Sequence, residues 1–409
     1  MAEGQGKNGV EAMNKVSDSE VQESETETSL AGEQEENLGE GLPDRAPDDS
    51  SQTEAVQPSA GILDSDLLTV FRANWETVAW AVILVAAVVS RFYELGVRGM
   101  SHDESLHAVY SLDLYRSGNY QHNPMMHGPF LFHANAFIYF LFGVSDATAR
   151  VMPALAGIGS IMAAWLFRRW IGRTGALLTA LIFLFSPSIL FHSRYIRNDI
   201  YIVFFSMMWI YFMFRYVEDR KTKWLYYTVT AMALGFAAKE NQFMSGTIFG
   251  MFMVGAALWR WWTGQEQLRD SSFADIAVLL LTLVLPFAAP LGHILLGWDA
   301  LAYSTGQDLT RSALLVLLMT GLSAAIAFWW FSPAKFSENG TESRDSEPQK
   351  RRVTFGNWAT LMALFWAIEI LLFTTFFTNP VDGLASGVVG SLGYWLAQQE
   401  VQRGSQPWY

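Results

Sequence analysis

Asp103 and Glu104 stand side by side in GMSHDESLHAVY (residues 99–110), between His102 and His107 and just past a long apolar run. Carboxylates at the rim of an apolar segment are costly unless they face water or a partner. A carboxylate within hydrogen-bond reach of a sugar or protein hydroxyl can take its proton as a general base. Leu106, Val109, Tyr110, Leu112 and Leu114 space out a short amphipathic helix across the pair. Adjacent helical residues point about 100° apart, so the two acids cannot do the same job. One can face a substrate while the other makes a structural contact. The competing reading is an exposed helix start, where acids complement the positive end of the dipole.

Cations recur at other membrane-edge positions. FHSRYIRNDIY (191–201) carries Arg194, Arg197 and Asp199, and GFAAKENQF (235–243) carries Lys239 and Glu240. Arg403 lies near the end of the chain, in QQEVQRGSQPWY. Charges at that depth are rare unless paired or functional. Arg197–Asp199 and Lys239–Glu240 could be simple ion pairs. The functional alternative is a site for an anionic headgroup, which the planar fork of Arg grips well, with Lys239 neutralising a phosphate leaving group. His102, His107, His122 and His127 leave a divalent metal possible. Their spacings match no tight ligand motif, and hydrogen-bonded scaffold histidines are the alternative. No cofactor is certain.

The elements that must position these groups are helices in a membrane. The chain is 51% hydrophobic, with 16 Trp and 29 Phe against 16% charged residues, a balance suited to a polytopic membrane protein. With about 20 apolar residues per crossing, spans are expected at 77–96, 147–167, 174–191, 200–216, 224–243, 244–262, 274–296, 312–331 and 356–378. GPFLFHANAFIYFLF (128–142) is too short to cross and is expected to lie along the membrane surface. The fold class is therefore all-α, a polytopic transmembrane protein of about nine spans with one short juxtamembrane helix.

The net charge of −12 is unevenly placed: residues 1–66 hold 17 acids and 3 bases, leaving residues 67–409 near neutral. That acidic, aromatic-free stretch reads as a disordered cytoplasmic tail, with a transmembrane domain over 67–409. Short loops rich in Lys and Arg mark the cytoplasm. Arg168, Arg169 and Arg173 form one such loop, and Arg215, Arg220, Lys221 and Lys223 a second. Arg260 and Arg269 form a third, and Lys350, Arg351 and Arg352 a fourth. Arg91 and Arg98 after the first span argue weakly the other way. The alternation puts the 97–128 loop outside a plasma membrane, together with residues 192–199, 297–311 and 379–409. An odd number of spans and an abrupt aromatic end lead us to expect further helices beyond residue 409.

Several classes are excluded or weakened. There is no Cys, so no disulfide and no thiolate metal site. No Walker A loop speaks for an ATP motor, and no basic patch interleaved with aromatics speaks for nucleic acid. Without an inverted repeat, and with Glu369 alone well inside a span, an ion-coupled transporter ranks last.

The order of DE after the first span, MHGPFLFHANAFIYFLFGVSDATARVMPALAGI, SPSILFHSRYIRND and GFAAKENQF resembles the GT-C superfamily of membrane glycosyltransferases. The likeness is to the dolichyl-phosphate-mannose–protein mannosyltransferases and lipid A aminoarabinose transferases of glycosyltransferase family 39. FTNPVDGLASGVVGSLGYWLAQQEVQRGSQPWY is similar to a prokaryotic subfamily named for lipid-linked glycan flippase activity in archaeal-type N-glycosylation. The resemblance covers roughly residues 75–409. It implies a polyprenyl-phosphate-linked sugar as donor, a protein or lipid-linked glycan as acceptor, and inverting transfer on the outer face. By motif it makes Asp103 the catalytic base and Glu104 its helper. Arg194, Arg197, Asp199 and Lys239 match its motifs and become binding residues for the lipid phosphate and sugar; Glu240 and Arg403 join them by position on the same face, with His102, His107 and His127 in support. The family's usual HPP reads HGP here at His127–Pro129. The alternative is a non-catalytic component of a lipid-linked glycan flippase or glycan assembly complex.

Overall fold

The computed structural model describes residues 74–299, 303, 306–332 and 353–398. The acidic segment 1–66, Lys350, Arg351, Arg352 and Arg403 lie outside them. The described residues form helices and connecting turns with no strand, as the apolar runs require when backbone groups must be satisfied without water.

The first three helices are α1 (Trp75–Phe92), α2 (His102–Ser117) and α3 (Phe130–Phe142). A hairpin follows, with α4 (Val151–Ala163) leading through a 3-10 turn into α5 (Arg168–Phe185). Next come the short α6 (Pro187–His192), the long α7 (Asp199–Asp219) and α8 (Thr222–Phe236). Then α9 (Gln242–Trp262), α10 (Ser272–Val284) and α11 (Ala289–Leu295) complete the middle of the chain. The last part contains α12 (Gly306–Phe331), α13 (Phe355–Phe373), α14 (Pro380–Leu384) and α15 (Ser391–Gln398).

Among the described residues seven helical runs are long and apolar enough to cross a membrane, against the nine spans expected. Two physical causes account for the difference. Thr148–Phe185 forms one continuous run, but its chain leaves helical geometry at Gly172 (φ 76°, ψ 169°). Glu76 at the start of α1 binds Arg168 and Arg173 at that turn. At the other end of α1, Arg91 donates to the carbonyls of Phe183 and Leu184, while Arg150 donates to those of Leu95 and Arg98. So α4 runs antiparallel to α1 and α5 runs back beside it, two passes in one run. Trp80, Ile83, Ala87, Ile161, Ala164, Ala176, Ala180 and Leu184 pack their shared core. The second cause is α8, whose 15 residues are few for a span. It is sheathed by α7 and α13 and joins a core with Val229, Met232, Phe236, Leu361 and Phe365, so its ends need not reach water through lipid. The juxtamembrane segment forms α3 over 13 residues, too short to cross.

Ion pairs gather the basic turns at one end of the bundle: Arg169–Glu218, Arg215–Asp219, Arg220–Glu266 and Arg260–Glu266 join the Glu76 pairs. Of the residues singled out for chemistry, the described ones Asp103, Glu104, Arg194, Arg197, Asp199, Lys239 and Glu240 collect at the opposite end.

Candidate active site

The site begins with the start of α2. Ser101 caps it: its hydroxyl accepts from the Glu104 N–H, and the Glu104 carboxylate accepts from the Ser101 N–H at 3.2 Å. This reciprocal box ends the loop after α1 and fixes where Asp103 and Glu104 point.

Glu104 is fully buried. Arg150 grips it with two N–H groups, Nε to Oε1 at 2.9 Å and Nη2 to Oε2 at 3.1 Å. Arg98 donates to Oε2 at 2.7 Å and the Ile196 N–H to Oε1 at 3.3 Å. Burial alone would raise the carboxyl's pKa, but the hydrogen bonds from Arg150 and Ser101 and the charges of Arg150 and Arg98 outweigh it and hold the group ionised below its usual range. Its oxygens are occupied on all sides. Glu104 therefore ties α2, α4, the 95–98 turn and the 193–198 segment into one frame.

Asp103, about 100° round the helix, is half-exposed. Its Oδ2 accepts from Arg197 Nη1, and Oδ1 carries no hydrogen bond among the described residues. Arg197 Nε lies 4.0 Å from Asp199 Oδ2, and Lys239 Nζ donates to Asp199 Oδ1 at 2.6 Å. Asp103, Arg197, Asp199 and Lys239 thus form an alternating chain of charge brought together from α2, the turn before α7, the first residue of α7 and the turn after α8. Glu369, inside α13, is buried with neither carboxylate oxygen hydrogen-bonded among the described residues.

Two expected neighbours stand apart from that chain. Arg194 donates to the carbonyls of Ser90 and Glu94 at the end of α1. Glu240 accepts from His127 Nδ1 at 2.9 Å rather than from Lys239. His127 stacks on Trp395, with ring centroids 5.2 Å apart. His107 is buried beneath Asp103, its Nδ1 on the Asp103 carbonyl at 2.7 Å and its ring stacked on Phe132. Burial, and secondarily the charge of Arg197, lowers its pKa, so it is a neutral support. His102 is exposed. Among the described residues no group of three His, Cys, Asp or Glu could hold a metal ion.

The HGP sequence has a local cause. Gly128 N–H donates to the Ala238 carbonyl at 3.2 Å and Phe130 N–H to that of Ala237 at 2.9 Å. A Cβ on Gly128 would lie 2.1 Å from the Ala237 carbonyl oxygen. Proline there would also lack the N–H. Gly128→Ala is expected to destabilise the protein by about 1–3 kcal/mol, read as a lower unfolding midpoint in detergent, with an unchanged midpoint contradicting the close approach.

Arg150 is the site residue that sequence reasoning missed. Its one signal is a lone cation at the mouth of the apolar run 151–167.

Residues 126–291 match the family model described as dolichyl-phosphate-mannose-protein mannosyltransferase. That match covers about two-fifths of the chain and agrees with the mannosyltransferase resemblance carried by the same segment. Among solved structures the chain is similar to apo ArnT from Cupriavidus metallidurans, at 17% identity and TM-score 0.41, over 80% of this chain and 60% of that one. ArnT from the same organism bound to undecaprenyl phosphate gives 19% identity and TM-score 0.40, over 79% and 60%. The archaeal oligosaccharyltransferase AglB from Archaeoglobus fulgidus, in complex with an inhibitory peptide and a dolichol-phosphate, gives 14% and 0.42, over 82% and 53%. The chain thus spans between about half and three-fifths of the length of these structures. No curated protein matches it.

Proposed function

We propose that this chain is an inverting membrane glycosyltransferase. It moves a sugar from a polyprenyl-phosphate donor to a hydroxyl acceptor, a protein or a lipid-linked glycan, on the outer face of the plasma membrane. The observation that carries the reading is the half-exposed Asp103 set against Arg197 and Lys239 at one end of the bundle. The outward assignment of that end rests on the basic turns gathered at the other.

Asp103 takes the acceptor's hydroxyl proton as that oxygen attacks the anomeric carbon. The bond from that carbon to the phosphate oxygen breaks on the opposite face, and polyprenyl phosphate leaves. One displacement inverts the configuration. Arg197 and Lys239 stabilise charge developing on the leaving phosphate. In the charge chain both cations already have carboxylate partners, so an arriving phosphate competes for them and releases Asp103 from Arg197 to act as base. Glu104, closed to substrate, positions Asp103 through the capping box and Arg150.

The polyprenyl chain has a matching groove. A cavity of about 550 Å³ is lined by Phe236, Phe243, Gly246, Gly250, Val254 and Leu281 along α8, α9 and α10. Its Phe236 end is three residues from Lys239. Nothing lies within 4 Å of a Cβ built on Gly250. Gly250→Leu fills this space in a helix that tolerates leucine, and is expected to raise KM for the lipid donor about tenfold, the equivalent of one or two displaced methylenes, with kcat little changed. An unaltered KM would separate the groove from the donor.

The reading is tested by incubating the purified full chain with a panel of polyprenyl-phosphate sugars and a membrane extract as acceptor source. Loss of one lipid-linked sugar with matching release of polyprenyl phosphate is expected. Survival of every donor would overturn it.

A further inference from the structure

A second cavity, of about 1010 Å³, opens further along α2 from Asp103 and has different chemistry. Its walls come from the second half of α2, the 119–126 loop, and the segment after α13. The polar lining includes Asp113, Asn123, Asn379 and Asp382, with Tyr110 and Tyr120 supplying aromatic surface. Among the described residues no Lys or Arg lines it. His122 adds no charge, since burial lowers its pKa to about 3. Among these residues a phosphate meets no cation and faces two carboxylates, Asp113 and Asp382. A neutral, hydroxyl-rich ligand finds what it needs: carboxylates that accept from hydroxyls, amides that both donate and accept, and ring faces for the apolar side of a sugar.

The cavity is built rather than incidental. His122 Nδ1 meets Ser386 Oγ at 3.0 Å, and the Thr375 hydroxyl donates to the Tyr120 carbonyl at 3.0 Å. These bonds fasten two walls that are more than 250 residues apart in sequence. Tyr120 lines the cavity at 8% exposure, and its hydroxyl has no hydrogen-bond partner among the described residues.

Helical geometry joins this cavity to Asp103. Tyr110 follows Asp103 by seven residues, two turns along the same face of α2 and about 10 Å away. Asp113 and Ser117 continue that stripe into the cavity. A ligand seated there and reacting at Asp103 must extend over this distance, which suits several linked sugars rather than one. A polypeptide is the less fitting occupant. The described residues offer no strand edge for it to pair with, and the lining mixes polar groups with aromatic faces instead of forming a continuous apolar groove for an amphipathic helix.

We propose that this cavity is the acceptor site and takes a neutral oligosaccharide, so that the chain extends a glycan; this rests on the transferase reading above. The test is saturation-transfer NMR on the full chain in detergent, without donor. The probes are neutral tetrasaccharides of the manno, gluco and N-acetylglucosamine series, with a Ser/Thr-containing peptide for comparison. At least one tetrasaccharide is expected to bind. Asp113→Ala and Asp382→Ala, both at exposed positions, are each expected to weaken it about tenfold through a lost hydrogen bond to a charged group. Binding of the peptide alone, no oligosaccharide binding, or binding indifferent to both Asp variants would overturn the proposal. Oligosaccharide binding in a protein that consumes no donor would instead sink the transferase reading and leave the glycan site standing.

Discussion

Asp103→Asn is expected to lower sugar transfer by about 10²–10⁴-fold, the usual contribution of a general base, with the unfolding midpoint in detergent nearly unchanged. Asn has the same shape and can still accept from Arg197 through its amide oxygen. It cannot take a proton. Because Asp103 is half-exposed and makes one side-chain contact, little of the fold depends on its charge. The loss should fall on kcat with donor binding no weaker, since the neutral Asn no longer competes with the donor phosphate for the charge of Arg197. A variant that binds donor normally but turns over at the wild-type rate would remove Asp103 from the chemistry.

The neighbouring acid should behave in the opposite way. Glu104→Ala leaves Arg150 buried without its carboxylate, and removing one partner of a buried pair costs about 3–5 kcal/mol. Arg150→Ala should cost a similar amount. Because the two residues share one interaction, the double variant should cost less than the two single losses added together. The pH dependence has a definite sign. The folded-state pKa of Glu104 is depressed, so its stabilisation is present above the unfolded-state value and is lost as pH falls through the folded one. Thermal unfolding in detergent should show a midpoint that drops on acidification below the ordinary carboxylate range. Glu104→Gln should flatten that dependence while lowering the midpoint at neutral pH. A Glu104 variant as stable as wild type at neutral pH would contradict the clamp.

The sequence carried the periodic features. Apolar runs located the long helices, and the short run after His127 was read as non-spanning because 13–15 residues cannot cross a bilayer core. The Ser101–Glu104 spacing is itself a capping-box signature, although its meaning depends on burial that local pattern does not reveal. Arg150 reaches Glu104 across 46 residues, beyond any local signal. Spacing also misled within single turns. Arg194 and Arg197 are three apart, yet one binds the end of α1 and the other binds Asp103. Lys239 and Glu240 are adjacent, yet the tight turn after α8 sends one to Asp199 and the other to His127. The second cavity left no local signal because its walls meet through the 119–126 loop and the segment after α13.

Single turnover with isotopically labelled polyprenyl-phosphate sugar tests the central claim most directly, reading released polyprenyl phosphate and the anomeric configuration of the product together. The account predicts one equivalent of lipid phosphate released per sugar transferred, with the configuration inverted, and neither event with Asp103→Asn. Retained configuration, or an equal yield from Asp103→Asn, would contradict a single displacement driven by this carboxylate.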